Sequence, residues 1–190
     1  VTQVKGAQNH KGQRGFVNYS YDNIDHQFIE TIANNFGESI CNQYDHSTGL
    51  LERTLGINGH AMQYEYDQFQ RLINIWAPRE LLNPNSAPSV NYSYDLENRV
   101  AVTTHNTDNL NHYNVSLSED DNYCHVVDLS TRDTIANGVK TATFIDGLGK
   151  AVQIKTTKTN SATTATSVIV SGIVQNNRFG KPIVVRADFI

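Results

Sequence analysis

The chain has 190 residues, of which 38% are hydrophobic, and its 19 acidic and 15 basic residues give a formal net charge of -4. No run of Lys and Arg exceeds two residues, which excludes an electrostatic footprint for nucleic acid. No apolar run approaches the ~18 residues of a membrane-spanning helix, which argues against membrane insertion by this segment. The low hydrophobic content favours a thin, extended β-structure over a thick two-layer core.

The first part of the chain predicts serial β-hairpins. Residues 1–18 are expected to form a lead-in strand or tail, and residues 19–76 a series of hairpins. The clearest unit is 62–75, where Tyr and Leu alternate with polar neighbours in the period of a half-buried strand. Between its two halves, residues 67–70 predict a tight turn that Asp opens and whose fourth position tolerates positive φ.

The middle of the chain interrupts this pattern. Residues 77–89 contain three prolines and predict a loop outside the sheet, with at most one helical turn. Residues 90–140 are expected to hold another hairpin followed by a degenerate unit around 121–128. Glu119, Asp120 and Asp121 form either a cation site or a solvated acidic turn, and the absence of an EF-hand pattern favours the turn.

The last part of the chain, residues 141–190, predicts two further hairpins. Residues 135–140 are expected to be an Asn-Gly turn that leads into it. The first hairpin is built around D-G-L-G-K at 146–150, and the second joins strands at 167–174 and 182–185. Residues 156–166 are low in complexity and predict a loop tip.

A Tyr-x-Tyr-Asp signature, with variants, recurs along the chain. The turn residues Asp22, Asp45, Asp67, Asp95, Asp146 and Asn177 follow one another in steps of 23, 22, 28, 51 and 31, and periods of this size indicate a repeat architecture. Tyrosines at equivalent positions predict core or cross-strand contacts, the aspartates turn caps and the glycines turn geometry. The predicted structural positions are Tyr19, Tyr21, Asp22, Tyr44, Asp45, Tyr64, Tyr66, Asp67, Tyr92, Tyr94, Asp95, Asp146, Gly147, Gly149 and Gly180.

No sequence motif in the chain predicts catalysis. It lacks a G-x-S-x-G elbow, a phosphate-binding Gly-rich loop and the clustered Cys or His of a metal site, and its seven histidines are scattered. We therefore expect no enzyme activity, no catalytic residue, no metal and no cofactor. Cys41 and Cys124 are too far apart for the sequence to show whether they pair, and two free, buried thiols are the favoured interpretation.

Three stretches resemble a known family. They are Y-E-Y-D-Q-F-Q-R-L-I-N-I-W-A-P at 64–78, F-I-D-G-L-G-K-A-V-Q-I-K at 144–155 and V-S-G-I-V-Q-N-N-R-F-G-K-P at 170–182. Together with the other Tyr-Asp units they resemble the YD repeats of RHS-type bacterial proteins, in particular the middle region of the B component of insecticidal Tc toxin complexes. The resemblance covers roughly residue 19 to the end. This sequence departs from the family pattern at Gln70 and Asn98 (usually Gly), Lys150 and Lys181 (usually Arg) and Asn177 (usually Asp).

The resemblance implies an all-β fold of serial antiparallel hairpins that form a twisted strip, part of a larger hollow shell. Such a shell encloses a C-terminal toxic effector and releases it through a translocation pore, so the implied partners are the remainder of the shell, the effector and the pore component. The implied location is outside the bacterial cell. We also expect this chain to be a piece of a larger polypeptide.

A second hypothesis treats the repeated tyrosines as a binding surface. Aromatic faces stack on sugar rings, so a cell-surface β-module could bind glycan or protein through exposed tyrosines. The two hypotheses differ in what they require of the rings. The shell requires them to be buried, and the binding module requires several of them to line an open face.

Overall fold

The chain folds into antiparallel β-strands with almost no helix, which confirms the predicted all-β class. The described residues divide into two compact units, the first comprising residues up to 83 with residue 129 and the second the remainder from residue 86. None of the described helices is long and apolar enough to cross a membrane. This computed structural model describes residues 2–83, 86–107, 129, 134–147, 149–159, 166–171, 173–177, 179 and 181–186.

The first unit is a meander in which every strand pairs antiparallel with the next one in sequence. The predicted hairpins of this region are confirmed, including the return strand after each Asp turn. A single helical turn, α1 (Pro78–Leu81), follows the last strand and begins at a proline. The strands are β1 (Gln3–Gln8), β2 (Arg14–Tyr21), β3 (Ile29–Asn34), β4 (Ser39–Asp45), β5 (Leu50–Leu55), β6 (Ala61–Tyr66) and β7 (Leu72–Trp76).

The second unit continues in the same style, with each of five strands paired antiparallel to its neighbour in sequence and a separate two-stranded hairpin. The strands are β8 (Val90–Asp95), β9 (Val100–Asn106), β10 (Gly138–Ile145), β11 (Ala151–Thr159) and β12 (Thr166–Ser171), and the hairpin is β13 (Ile173–Asn176) with β14 (Pro182–Arg186).

Three sequence predictions in this unit are wrong in detail. Residues 135–140 do not form a hairpin turn, because Gly138 already opens β10 and pairs with Asn106 of β9. The predicted strand 167–174 is two strands, of which β12 pairs with β11 and β13 with β14. The predicted loop tip 156–166 is shorter than expected, because β11 runs to Thr159 and β12 starts at Thr166.

Gly138 is required by the close approach of β9. A Cβ at this position would lie 2.6 Å from the carbonyl oxygen of His105 and 2.9 Å from Cγ2 of Thr104. We expect Gly138→Ala to lower the free energy of unfolding of the second unit by about 2 kcal/mol, since two paired strands must separate to admit a methyl group. Chemical denaturation measures the loss. Gly147→Ala, whose Cβ would meet only Arg99 Nη1 at 3.7 Å, is the control, and an equal loss in both variants would contradict this explanation.

The hydrophobic core of the first unit is small. Ala61, Trp76, Leu81 and Leu129 are buried together, and Leu55 packs against them. Trp76 is the most enclosed of these residues, with 2% of its surface exposed. This cluster places one residue from the acidic middle of the chain, Leu129, against the sheet of the first unit. The modest core agrees with the low hydrophobic content of the sequence.

Cys41 is disulfide-bonded, and no described cysteine is free. The expectation of free thiols is therefore wrong for Cys41. The only other cysteine of the sequence is Cys124, which lies outside the described residues. The spacing of two distant cysteines cannot predict their pairing, because the chain that brings them together passes through many intervening strands.

Several predictions fall on residues that the structure does not describe. They are the alternative cation site at Glu119, Asp120 and Asp121, the degenerate unit at 121–128, and the turn glycine Gly180.

Candidate functional site

A five-residue turn recurs at the hairpin ends, and Asp67 shows its construction. The N–H of Asp67 donates to the carbonyl of Arg71, at 2.9 Å. The Asp67 carboxylate accepts the N–H groups of Phe69 and Arg71, both at 2.9 Å. The fourth residue, Gln70, has φ 64°, as the sequence predicted for this position. The first residue therefore caps the turn with its own side chain.

The same turn is also opened by asparagine, at Asn9, where the sequence analysis missed it, and at Asn34. The amide oxygens of Asn9 and Asn34 each accept the N–H groups two and four residues further on. Asn177 accepts the same two N–H groups, and Asp146 accepts that of Lys150. The missed signal is Asn-x-x-Gly, which follows Asn9 and Asn34 as Asp-x-x-Gly follows Asp146. Side-chain caps thus occur in the β1–β2 and β3–β4 turns as well as in the turns that aspartates open.

A second feature that repeats is a β-bulge beside the turn. In five hairpins the return strand carries one extra residue shortly after the turn, and the register shifts there. The Asp95 hairpin pairs without a shift. A bulge bends the strand and increases its twist, so its recurrence gives most hairpins the same local geometry. The extra residues are Glu30, Glu52, Ile73, Val152 and Ile183.

The repeated tyrosines are half-buried. Tyr44 stacks on Phe28, with 5.1 Å between ring centroids, and the Tyr66 hydroxyl donates to the carbonyl of Leu51 at 2.9 Å. Their positions fit cross-strand contacts. Because these rings are neither fully buried nor fully exposed, their burial does not decide between the shell and the binding module. The half-buried set is Tyr19, Tyr21, Tyr44, Tyr64, Tyr66, Tyr92 and Tyr94.

Asp22 is the most heavily bonded of the turn aspartates. One of its oxygens accepts the N–H groups of Ile24, Asp25 and His26, and the other accepts those of Gln27 and Phe28. Its side chain lies at the centre of a seven-residue loop, and its exposed fraction is 0%. Five backbone donors around one carboxylate hold the loop closed.

The neighbouring loop completes a cluster with Asp22. His46 Nδ1 lies 3.1 Å from Asp25 Oδ2 and 3.8 Å from Asp22 Oδ1. The edge of the His46 imidazole also meets the ring of Phe28, with 5.7 Å between centroids. These three polar residues have the donor atoms of a cation site. However, the Asp22 oxygens already accept five N–H groups, and a cation would displace them, so the contacts support a structural clasp between two adjacent loops.

The other turn residues are simpler. The Asp45 carboxylate accepts the hydroxyl groups of Ser47 and Thr48, and these bonds lower its pKa. Asp95 accepts the N–H and the side-chain amide of Asn98, which lowers its pKa. Gly149 has φ 77°, whereas Gly147 does not have positive φ.

The electrostatics of Asp22 predict acid sensitivity. Burial raises its pKa, but the N–H groups of Phe28, Asp25, His26 and Gln27 more than offset this, so the pKa lies well below its usual 3.8. A carboxyl whose pKa is lower in the folded state contributes stability above the unfolded value and loses it as pH falls. We therefore expect the urea concentration at the midpoint of unfolding to decrease as the pH is lowered below about 4.

Asp22→Asn removes this titration and provides the test. The variant should be less stable at neutral pH and should lose less stability between about pH 5 and pH 3 than the parent chain. Parallel slopes in the two proteins would show that Asp22 does not govern the acid response.

The first unit has a groove that is open to a ligand. Its volume is about 650 Å³. Tyr64 and Tyr66 line it, together with glutamine side chains and Leu129. Three acidic groups in it are held by their own hairpins: Asp45 by its turn, Asp67 by Arg71 and Glu65 by Asn74 and Trp76. The fourth acidic group is Glu52.

A scan against protein-family models and a search of curated proteins both find no match for this chain.

Proposed function

We propose that this chain is a structural segment in the wall of an RHS-type shell that encloses and helps to deliver a toxin effector. The observation that carries the proposal is the recurrence of one hairpin design at Asp22, Asp45, Asp67 and Asp146, in which an Asp cap is followed by a residue with positive φ and a bulge. A unit that repeats in this way buries its apolar face mainly against its neighbours and so builds extended walls.

Exposed side chains at the turn tips support the proposal that the wall continues into other parts of the parent polypeptide. Large apolar side chains stand exposed at the tips, Phe36 at 80%, Phe69 at 65% and Phe179 at 70%. In the proposed shell, these residues pack against the rest of the parent polypeptide. The disulfide at Cys41 fits the proposed extracellular location, since such bonds persist in oxidising environments.

Protease protection tests the enclosure. In the natural polypeptide that carries this segment, the shell role predicts that the C-terminal effector resists a protease while the particle is folded and is digested once urea opens it. An effector that is cut at the same rate in both states would contradict the enclosure. Co-purification of the natural polypeptide with a translocation-pore component tests the proposed role in delivery.

The binding module remains the alternative because Tyr64 and Tyr66 line the groove. Under this hypothesis the groove accepts a sugar ring against one aromatic face. A glycan array probed with the 190-residue chain tests it. Binding that is lost in Tyr64→Ala and kept in Tyr92→Ala would favour this alternative, and an array without signal would count against it.

A further inference from the structure

Among the four described carboxylates that line the groove of the first unit, Glu52 differs in making no hydrogen bond or ion pair with another described residue. The other three, Asp45, Glu65 and Asp67, each accept hydrogen bonds within their own hairpins. Glu52 makes neither a hydrogen bond nor an ion pair with any residue that the structure describes. A half-buried carboxylate normally acquires such a partner.

Glu52 is positioned at the groove by the strand that carries it. Glu52 is the extra residue of the bulge in β5, and it lines the groove. Burial raises its pKa, the charge of Asp45 raises it further, and His46 opposes the effect. The pKa of the Tyr66 hydroxyl is raised first by burial and then by Tyr64 and the charge of Glu52. The carboxylate and the two phenol rings therefore act on one another across one space.

Negative charge predominates around this space, although Arg71 pairs with Asp67 and His46 acts on Glu52 from beside it. Four carboxylates line the groove, and none of its described lining residues is Lys, Arg or His. A cation placed there gains an ion pair with Glu52 and relieves its repulsion from Asp45. Aromatic faces also attract cations, and most strongly when water is partly excluded. An anion would be repelled by Glu52.

We propose that this groove binds the ammonium or guanidinium group of a lysine or arginine side chain on an extended polypeptide, with Glu52 as its ion-pair partner and Tyr64 and Tyr66 flanking it. An extended basic segment fits because the groove lies along a hairpin, from Gln63 to Gln70. The proposal is independent of the shell role, and either can fail without the other.

Calorimetric titration of the full chain tests the proposal. The probe is a short peptide of alternating Lys and Ser, and the comparison probes are a peptide of alternating Glu and Ser and a neutral oligosaccharide. At low salt the Lys peptide alone should bind. Glu52→Gln should weaken it about fivefold, and raising the salt should weaken it further.

Glu30→Gln is the matched control, because Glu30 is the bulge residue of the preceding hairpin and does not line the groove. It should leave the affinity unchanged. Thermal unfolding of each variant verifies that it is folded, and ring-proton shifts of Tyr64 and Tyr66 on titration locate the peptide. The proposal is overturned if the Lys peptide does not bind, if the oligosaccharide or the Glu peptide binds as well, or if the two variants lose affinity equally.

Discussion

Asp22→Ala should lower the thermal unfolding midpoint of the chain by about 10 °C, the largest effect that we expect from any single turn residue. The variant leaves five backbone N–H groups in the Asp22 loop without the acceptor that they share. It also removes one side of the clasp with His46. The loss is costly because the loop must rearrange before these donors find other acceptors. Thermal unfolding followed by circular dichroism measures the shift.

Asp95→Ala is the control for this prediction. Asp95 opens a hairpin turn in the same way but is exposed, and Asn98 donates to it in place of the five backbone N–H groups at Asp22. Its loss should shift the midpoint by less than about 3 °C. If both variants shift by the same amount, the five-donor loop has no special role, and the turn aspartates are equivalent as their sequence pattern predicts.

Reduction of the disulfide should have the second large effect, a loss of about 4 kcal/mol in the free energy of unfolding. Because Cys124 is the only other cysteine in the sequence, an intramolecular bond from Cys41 closes a loop of about 80 residues. A loop of that length restricts the unfolded chain strongly, which destabilises it relative to the folded state. Urea unfolding with and without a reducing agent measures the difference.

The double variant Cys41→Ser with Cys124→Ser is the control for the reducing agent. It should match the reduced parent chain and show no further response to the reagent. Peptide mapping without reduction should recover one cross-linked pair of peptides. Two titratable thiols per unreduced chain in denaturant would contradict the bond, and so would a stability that reduction does not change.

Much of the fold was predictable because its signals are local. The alternation in β6 and β7 and the Asp-x-x-Gln turn between them depend only on neighbouring residues. The Asn-Gly pair at Gly138 misled for the same reason, since nothing local shows that His105 of β9 lies against this glycine. Whether a dipeptide makes a turn or enters a strand is decided by its long-range partner.

The candidate sites were less predictable. The sequence assigned Asp22 the same turn-capping role as Asp45 and Asp67, and did not distinguish its burial or its five backbone donors. The longer span before the return strand, Asp22 to Phe28, was the available signal. The groove escaped prediction altogether, because Glu52 enters it through a bulge that shifts the alternation of β5.

In the proposed shell, these hairpins form part of a wall around an enclosed space. The most direct measurement is a single-particle reconstruction of the natural polypeptide that carries this segment. We expect a hollow particle in which the Asp67 hairpin and its neighbours form a stretch of wall and their apolar tips, such as Phe69, pack against other parts of the particle. A separate module with Tyr64 and Tyr66 open to solvent around a bound glycan, or a particle without an internal space, would contradict it.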